Sequence, residues 1–271
     1  MPSSRFRASA PGVHLLSCRR VITRLVRAAG VGADDLVIDF GAGPGTITAP
    51  LAGTGARVLA VERDAGFVRA LHRRFADDPR VRVVPDDLRR VRLPRKDFTV
   101  VASIPFAVST PLLRRLLTPV PGRLARAELV VEWGLARRLT APRPRDLEVA
   151  WWAARYELRL VERIPAHCFT PAPAVDAAHL SVRRRSEVDT RTSAILWPLL
   201  DAAYRRPTDQ ARHVLGDLVA HRMARHLLSS HDTDPSRPAA DVHIRHWTRL
   251  AITLSGNRSI SPPPLPRALR A

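Results

Sequence analysis

Apolar positions along the first half of the chain fall into two alternating rhythms. Residues 17–29 carry Val21, Ile22, Leu25, Val26 and Ala29 at helical spacing, with Ser17 placed to cap that helix. Leu36–Phe40 is a short unbroken apolar run, followed by a glycine-rich turn and a helical stretch near Thr46–Ala52. Arg57–Glu62 predicts a second strand. Asp64 predicts the cap of a helix that keeps Phe67, Val68, Leu71 and Phe75 on one face. Val81–Val84, Phe98–Ala102 and Ala127–Val131 predict further strands, with a helix over Thr110–Leu117. Strands alternating with helices in this way predict an α/β fold with a mostly parallel, doubly wound sheet. Trp151–Ile164 and His179–Arg183 predict two more strands, antiparallel at one edge, which makes seven in all.

After Arg185 the rhythm is helical only, over Ile195–Tyr204, Asp209–Leu228 and Val242–Leu254, with a polar loop at Ser229–Pro238. The expected organisation is therefore a sheet domain over 1–185, opening on a basic arm at 1–16, and a small all-α domain over 186–271. The Pro- and Arg-rich tail 261–271 is expected to be disordered. No apolar run approaches the ~18 residues of a membrane span. Val13–Cys18 is too short and broken for a signal-peptide core. A cytoplasmic monomer with no membrane association is the expectation.

Charge narrows the partner. Lys and Arg number 44 against 25 Asp and Glu, a formal net charge of +19. The first thirty residues hold six arginines and no acid, Arg5 and Arg7 among them. Arg89, Arg90, Arg92, Arg95 and Lys96 form a second cluster. Codon bias could explain arginine over lysine, but not the excess of bases over acids. Folding needs no such excess, and a polyanion would be attracted by it through counterion release. Cys18 and Cys168 are the only cysteines and do not form a CxxC pair, so neither a disulfide framework nor a zinc site is indicated. His243 and His246 could share a helix face, but no third ligand is evident, and no metal is expected.

The first strand runs into Asp39-Phe40-Gly41-Ala42-Gly43-Pro44-Gly45. Glycines at a strand-to-helix turn let backbone approach a ligand closely, although such a turn alone is also a common structural device. Here an acid, Glu62, closes the second strand 21 positions after Gly41, where a carboxylate can accept from both hydroxyls of a ribose. Asp86 follows the third strand and could accept from an adenine amino group. The spacing is GxGxG, not the GxGxxG of nicotinamide sites, and Asp39 precedes it. That arrangement suits a ligand without pyrophosphate that carries a cationic amine.

The fourth strand ends in Ser103-Ile104-Pro105-Phe106. Proline holds Ile104 extended and aims its carbonyl outward. That carbonyl and the Ser103 side chain can accept the two hydrogens of an exocyclic amine, and Phe106 offers a face to a flipped base. Two acceptors would favour the pyramidal amine and free its lone pair for attack on a methyl group, by positioning and electrostatics. The plainer alternative is a strand-ending Pro turn with a core Phe.

Together these residues resemble the ribosomal RNA adenine dimethyltransferases, a family that includes the small-subunit enzyme and the erythromycin-resistance (Erm) methyltransferases. Gly12–Leu16 is similar to its GQ(N/H)FL motif, Ser103–Leu113 to its NIPY segment, Phe169–Asp176 to its FxPxPxVD signature, and Tyr204-Arg205-Arg206 to an aromatic-Arg-Arg step. Asp39–Thr46 and Glu132–Arg138 resemble the Erm branch more closely. Val13, Leu15, Ala172 and Ser103 depart from the pattern, the last standing where the family has Asn.

The resemblance implies a Rossmann-like class I methyltransferase using S-adenosylmethionine. It implies cofactor contacts at His14, Leu16, Gly41, Glu62, Asp86 and Ser103, joining Asp39, Gly43 and Gly45 from the turn. Ser103–Phe106 would form the catalytic corner. The implied target is a 23S rRNA adenine, with macrolide, lincosamide and streptogramin B resistance as the outcome. The expected RNA-contacting arginines are 5, 7, 89, 90, 92, 137, 138, 205 and 206: Arg5, Arg7, Arg89, Arg90, Arg92, Arg137, Arg138, Arg205 and Arg206. The alternatives are the 16S rRNA dimethyltransferase and a catalytically silent RNA-binding relative.

Overall fold

A computed structural model of the chain describes residues 13–270. The elements run β1 (Leu15–Leu16), α1 (Arg19–Ala29), β2 (Leu36–Phe40), α2 (Thr48–Ala52), β3 (Arg57–Glu62), α3 (Ala65–Arg74), β4 (Val81–Pro85), β5 (Phe98–Ser103), α4 (Ser109–Leu117), β6 (Leu124–Glu132) and α5 (Trp133–Leu139). There follow α6 (Leu147–Arg155), β7 (Tyr156–Ile164), β8 (Phe169–Thr170), β9 (Ala177–Arg184), α7 (Thr190–Arg205), α8 (Ala211–Gly216), α9 (His221–Ser230) and α10 (Ile244–Ser255).

Seven strands form one sheet in the order β4-β3-β2-β5-β6-β9-β7. The first five are mutually parallel, and β9 runs antiparallel to β6. Val37–Phe40 and Phe98–Ala102 are buried throughout, as central strands covered on both faces must be. From β2 the chain winds first toward β3 and β4, then crosses to β5 and β6 on the other side. Strand order therefore reverses between β2 and β5, and their carboxyl ends open a crevice at that point. β6 and β9 bury a polar trio: Glu128 accepts from Ser181 Oγ (3.0 Å) and its other oxygen lies 2.6 Å from His179 Nε2. A fully buried carboxylate is tolerable because both oxygens find partners.

The chain divides into two compact units. One holds residues up to Leu116 with Arg123–Arg138 and Leu158–Arg183; the other holds Leu117–Gly122, Leu139–Glu157 and the chain from Arg184. In the second, α7 packs along α10, and Arg191 at the start of α7 donates to the carbonyls of Ser255, Asn257 and Ile260. Arg155 is a buried cation with no carboxylate partner among the described residues. It donates to the Leu117, Thr118 and Pro119 carbonyls at 2.7–3.1 Å and stacks 4.8 Å from Trp151.

Several expectations are corrected. Ser17 does not cap α1; its hydroxyl donates to the Cys168 carbonyl, and Cys18 stands at the cap position without a side-chain bond. Residues 151–155 are helical: α6 starts from Asp146, whose carboxylate accepts from Val149 N–H, and extended structure begins only at Tyr156. The long helix expected over 209–228 is two, α8 and α9. Within the tail, Arg267–Leu269 forms a 3-10 turn, Leu269 is buried, and its carbonyl accepts from Val120 N–H at 2.7 Å. Asp64 caps α3 as expected, accepting from the Gly66 and Phe67 amides. No helix among the described residues is long and apolar enough to cross a membrane.

Candidate active site

A cavity of about 470 Å³ opens at the carboxyl ends of β2, β3, β4 and β5. Of the residues singled out from sequence, His14, Leu16, Asp39, Gly41, Gly43, Glu62, Asp86, Ser103 and Pro105 line it, while Gly45, Ile104 and Phe106 do not.

The glycine turn is held by Gly41 and Ala42, whose amides both donate to the Val61 carbonyl at 2.8 and 3.1 Å. Gly41 and Gly43 have positive φ, of 72° and 53°. A Cβ on Gly41 would stand 3.6 Å from Pro105 Cδ, so this glycine brings the turn against the end of β5. Gly45 serves packing instead: a Cβ there would meet Leu71 and Phe75 of the α3 region at 3.0 Å.

Glu62 organises the turn. One carboxylate oxygen accepts from Gly43 N–H at 2.9 Å, and the other from the Arg63 and Asp64 amides at 2.8 Å each. Asp39 lies deeper, 1% exposed, and accepts from the Thr48 hydroxyl at 2.7 Å. Burial pushes its carboxyl up to about 7; the Thr48 bond opposes the shift, and the nearby Glu62 charge adds to it. A carboxyl that holds its proton more tightly folded than unfolded, where it titrates near 4, favours the folded state while protonated. Stability is therefore expected to fall as pH rises from about 4 through about 7 and to level off above. Asp39→Asn, which keeps an acceptor for Thr48, should remove that slope. Denaturant melts of both proteins across this range check it, and parallel profiles would exclude Asp39 as the source.

The Asp86 loop is pinned from α4. Arg115 donates to the Leu88 carbonyl and, at 2.6 Å, to that of Val91, a fastening that lies too far along the chain to be read locally. Asp87 is engaged by Arg89 and, more loosely, by Arg63, and its carboxyl is held well below the usual range, chiefly by the Arg89 hydrogen bonds.

The opposite wall is the N-terminal segment. β1 pairs with β8, Leu15 facing Thr170 and Leu16 facing Phe169. His14 Nδ1 lies 2.9 Å from the Pro171 carbonyl. The Phe169–Asp176 signature thus holds His14 and Leu16 at the cavity, and its Asp176 anchors the same segment by accepting from Ala166 N–H and Arg163.

At the end of β5, Ile104 N–H donates to Val130, and the Pro105 carbonyl accepts from Val108 N–H and Ser109 Oγ. No donor among the described residues reaches the Ser103 hydroxyl or the Ile104 carbonyl. Phe106 is half-buried against the hydrophobic cluster beneath α1, its ring centroid 6.3 Å from that of His14.

Electrostatically the cavity is the reverse of the protein. In a chain of net charge +19 it gathers five carboxylates, from Asp39, Glu62, Asp64, Asp86 and Asp87. Among the described residues Arg63 is its one arginine, and it is turned to Asp87. Such a site repels a pyrophosphate and suits a cationic ligand rich in hydroxyl and amino donors, such as a sulfonium nucleoside. No group of three or more His, Cys, Asp or Glu side chains among the described residues could hold a metal ion.

The expected RNA-contacting arginines divide. Arg90, Arg92, Arg137 and Arg138 are exposed. Arg89 is bound by Asp87, Arg205 by Asp201, and Arg206 by Asp209 and Asp217. Arg5 and Arg7 lie outside the described residues.

The sheet topology and this acid-lined crevice define a Rossmann-like methyltransferase. The profile of the ribosomal RNA adenine dimethylase family matches residues 7–253, and the chain belongs to that family. It is an S-adenosylmethionine-dependent rRNA adenine N6-methyltransferase. It is 32% identical to the mycinamicin-resistance protein MyrB of Micromonospora griseorubida, over 96% of this chain and 83% of that protein. It is 31% identical to ribosomal RNA small subunit methyltransferase A of Gloeobacter violaceus, over 90% of this chain and 92% of that one. The fold is shared with the 23S rRNA methyltransferase ErmE (TM-score 0.73, 22% identity, 88% of this chain and 98% of that one).

Proposed function

We propose that this enzyme methylates N6 of an adenine in 23S rRNA and thereby confers macrolide, lincosamide and streptogramin B resistance. The observation that carries the chemistry is the approach of the glycine turn to the β5 corner: the Gly41 Cα face looks onto Pro105 and the Ser103 carbonyl. A ligand lodged at the turn and a base held at the corner therefore meet within one cavity.

S-adenosylmethionine supplies the methyl group when bound. Glu62 would accept from its ribose hydroxyls, Asp86 from its adenine amine, and Asp39 would offset its cationic charge, with His14 and Leu16 closing the wall. The Ser103 hydroxyl and Ile104 carbonyl would accept the two hydrogens of the target amine, leaving its lone pair directed at the methyl. The exposed part of the Phe106 ring would stack on the base. On this reading residues 1–185 carry the reaction and 186–271 help recognise RNA, the protein acting as a cytoplasmic monomer alongside ribosomes.

Similarity to the mycinamicin-resistance protein MyrB favours the resistance role, and the Asp39–Thr46 and Glu132–Arg138 segments favour 23S rRNA. Near-equal identity to the Gloeobacter protein supports 16S rRNA as the second reading. Mass spectrometry of both rRNAs after incubation with protein and labelled cofactor separates them. Label in a 23S adenine is expected; label confined to 16S would favour the second reading, and label in neither would leave a silent relative.

A further inference from the structure

We infer that the outer face of α9 is a second polyanion-docking surface, one that grips the phosphate backbone of the rRNA substrate. The inference rests on the rRNA reading above. It uses residues outside the arginines that sequence singled out.

Helix α9 spends only Ala224 and Leu228 on the core, one turn apart. Arg222, Arg225, His226 and Ser229 recur at intervals of three, four and seven, so they share one face, and all four are exposed. No acid lies in the chain between Asp217 and Asp232, and Asp217 is already bound by Arg206. Arg222 and Arg225 make no side-chain bond to any described residue. Four other arginines of this unit are committed: Arg155 and Arg191 to carbonyls, Arg205 and Arg206 to carboxylates.

The placement also opposes helix physics. Helix starts favour acids and capping oxygens, because the first amides carry partial positive charge. In this chain α3, α6 and α7 follow that rule through Asp64, Asp146 and Asp189, whereas α1 and α8 also lack a side-chain cap and a first-turn acid. Helix α9 has no side-chain cap, no acid in its first turn, and His221 and Arg222 at its start. Its cations cost the free protein stability, a cost that an anion laid along the same face would offset.

The partner is a phosphate chain rather than a bilayer. Leu228 is turned inward, and Met223 is the one large apolar side chain of α9 left exposed, at 44%. Surface insertion into lipid needs a broad apolar face opposite the charges, which α9 has committed to its own core.

The test is the salt dependence of binding to a 23S rRNA fragment carrying the peptidyl-transferase loop, for the intact protein and R222Q/R225Q. R80Q, at an exposed arginine paired with Asp78, controls for the loss of one positive charge elsewhere on the surface. The double variant should bind more weakly, and its log Kd against log salt should be shallower by about 2, near 1 per arginine. Cofactor affinity should be unchanged, and the thermal midpoint should rise slightly as cations leave the helix start. An unaltered slope would overturn the inference, as would an equal flattening in R80Q, or a loss seen on phosphatidylglycerol vesicles and not on RNA. Because the readout is binding, failure of the rRNA reading would show separately, as absence of methyl label from either rRNA.

Discussion

Glu62→Ala is expected to weaken S-adenosylmethionine binding by at least about 100-fold, measured by isothermal titration. The carboxylate is buried and accepts three backbone N–H bonds, from Gly43, Arg63 and Asp64. Hydrogen bonds to a charged acceptor contribute about 1.5–3 kcal/mol each, and removing the acceptor leaves those amides unpaired. Alanine would thus remove a ligand contact and release the glycine turn together, so a subtler change is needed to tell the two apart. Glu62→Gln preserves shape and one acceptor oxygen, but sets an amide NH2 against the Gly43 N–H or the ribose hydroxyls. It should retain most of the thermal stability while still losing about tenfold or more in affinity. Undiminished affinity in Glu62→Gln would remove the ribose role and leave Glu62 as a brace of the turn.

The second large effect concerns Ser103. Ser103→Ala should lower single-turnover methyl transfer by about 100-fold, the scale of removing one preorganised partner of a reacting group, with cofactor Kd within a few-fold of the parent. Ser103 lines the cavity and no donor among the described residues reaches its hydroxyl, so on the proposed reading it is available to the target amine. Ser103→Asn, which restores the residue of the family pattern, should transfer at least as fast as the parent. A parallel fall in cofactor affinity and transfer rate in Ser103→Ala would place the hydroxyl on the cofactor instead.

What could be read from the chain followed the range of the interactions. β2 and β3 were legible to their end residues because both are apolar runs closed by a turn. The Asp64 cap was legible because its partners are two and three residues away. The acids of the site were legible because they end consecutive strands. Residues 151–155 were misread as strand although Asp146 and Glu148 signal a helix start, because two tryptophans adjoin a truly alternating strand. Leu218, Val219 and Ala220 carry apolar positions on past Gly216-Asp217, which hid the break between α8 and α9. Phe106 shows the limit of local reading: its motif suggested a free stacking face, and the structure gives half of that ring to the cluster beneath α1. The Arg115 clamp on the Asp86 loop and the pairing of β1 with β8 join residues more than twenty and more than a hundred and fifty apart in sequence, and no periodicity reports them.

That last pairing has a consequence for biosynthesis. The glycine turn and Glu62 leave the ribosome early, but the wall opposite them needs Phe169 and Thr170 as a template for Leu15 and Leu16. A nascent chain halted before those residues emerge would carry the floor of the pocket without its side, so on the proposed reading the methyl donor would be retained only late in translation, after the parallel strands are already made.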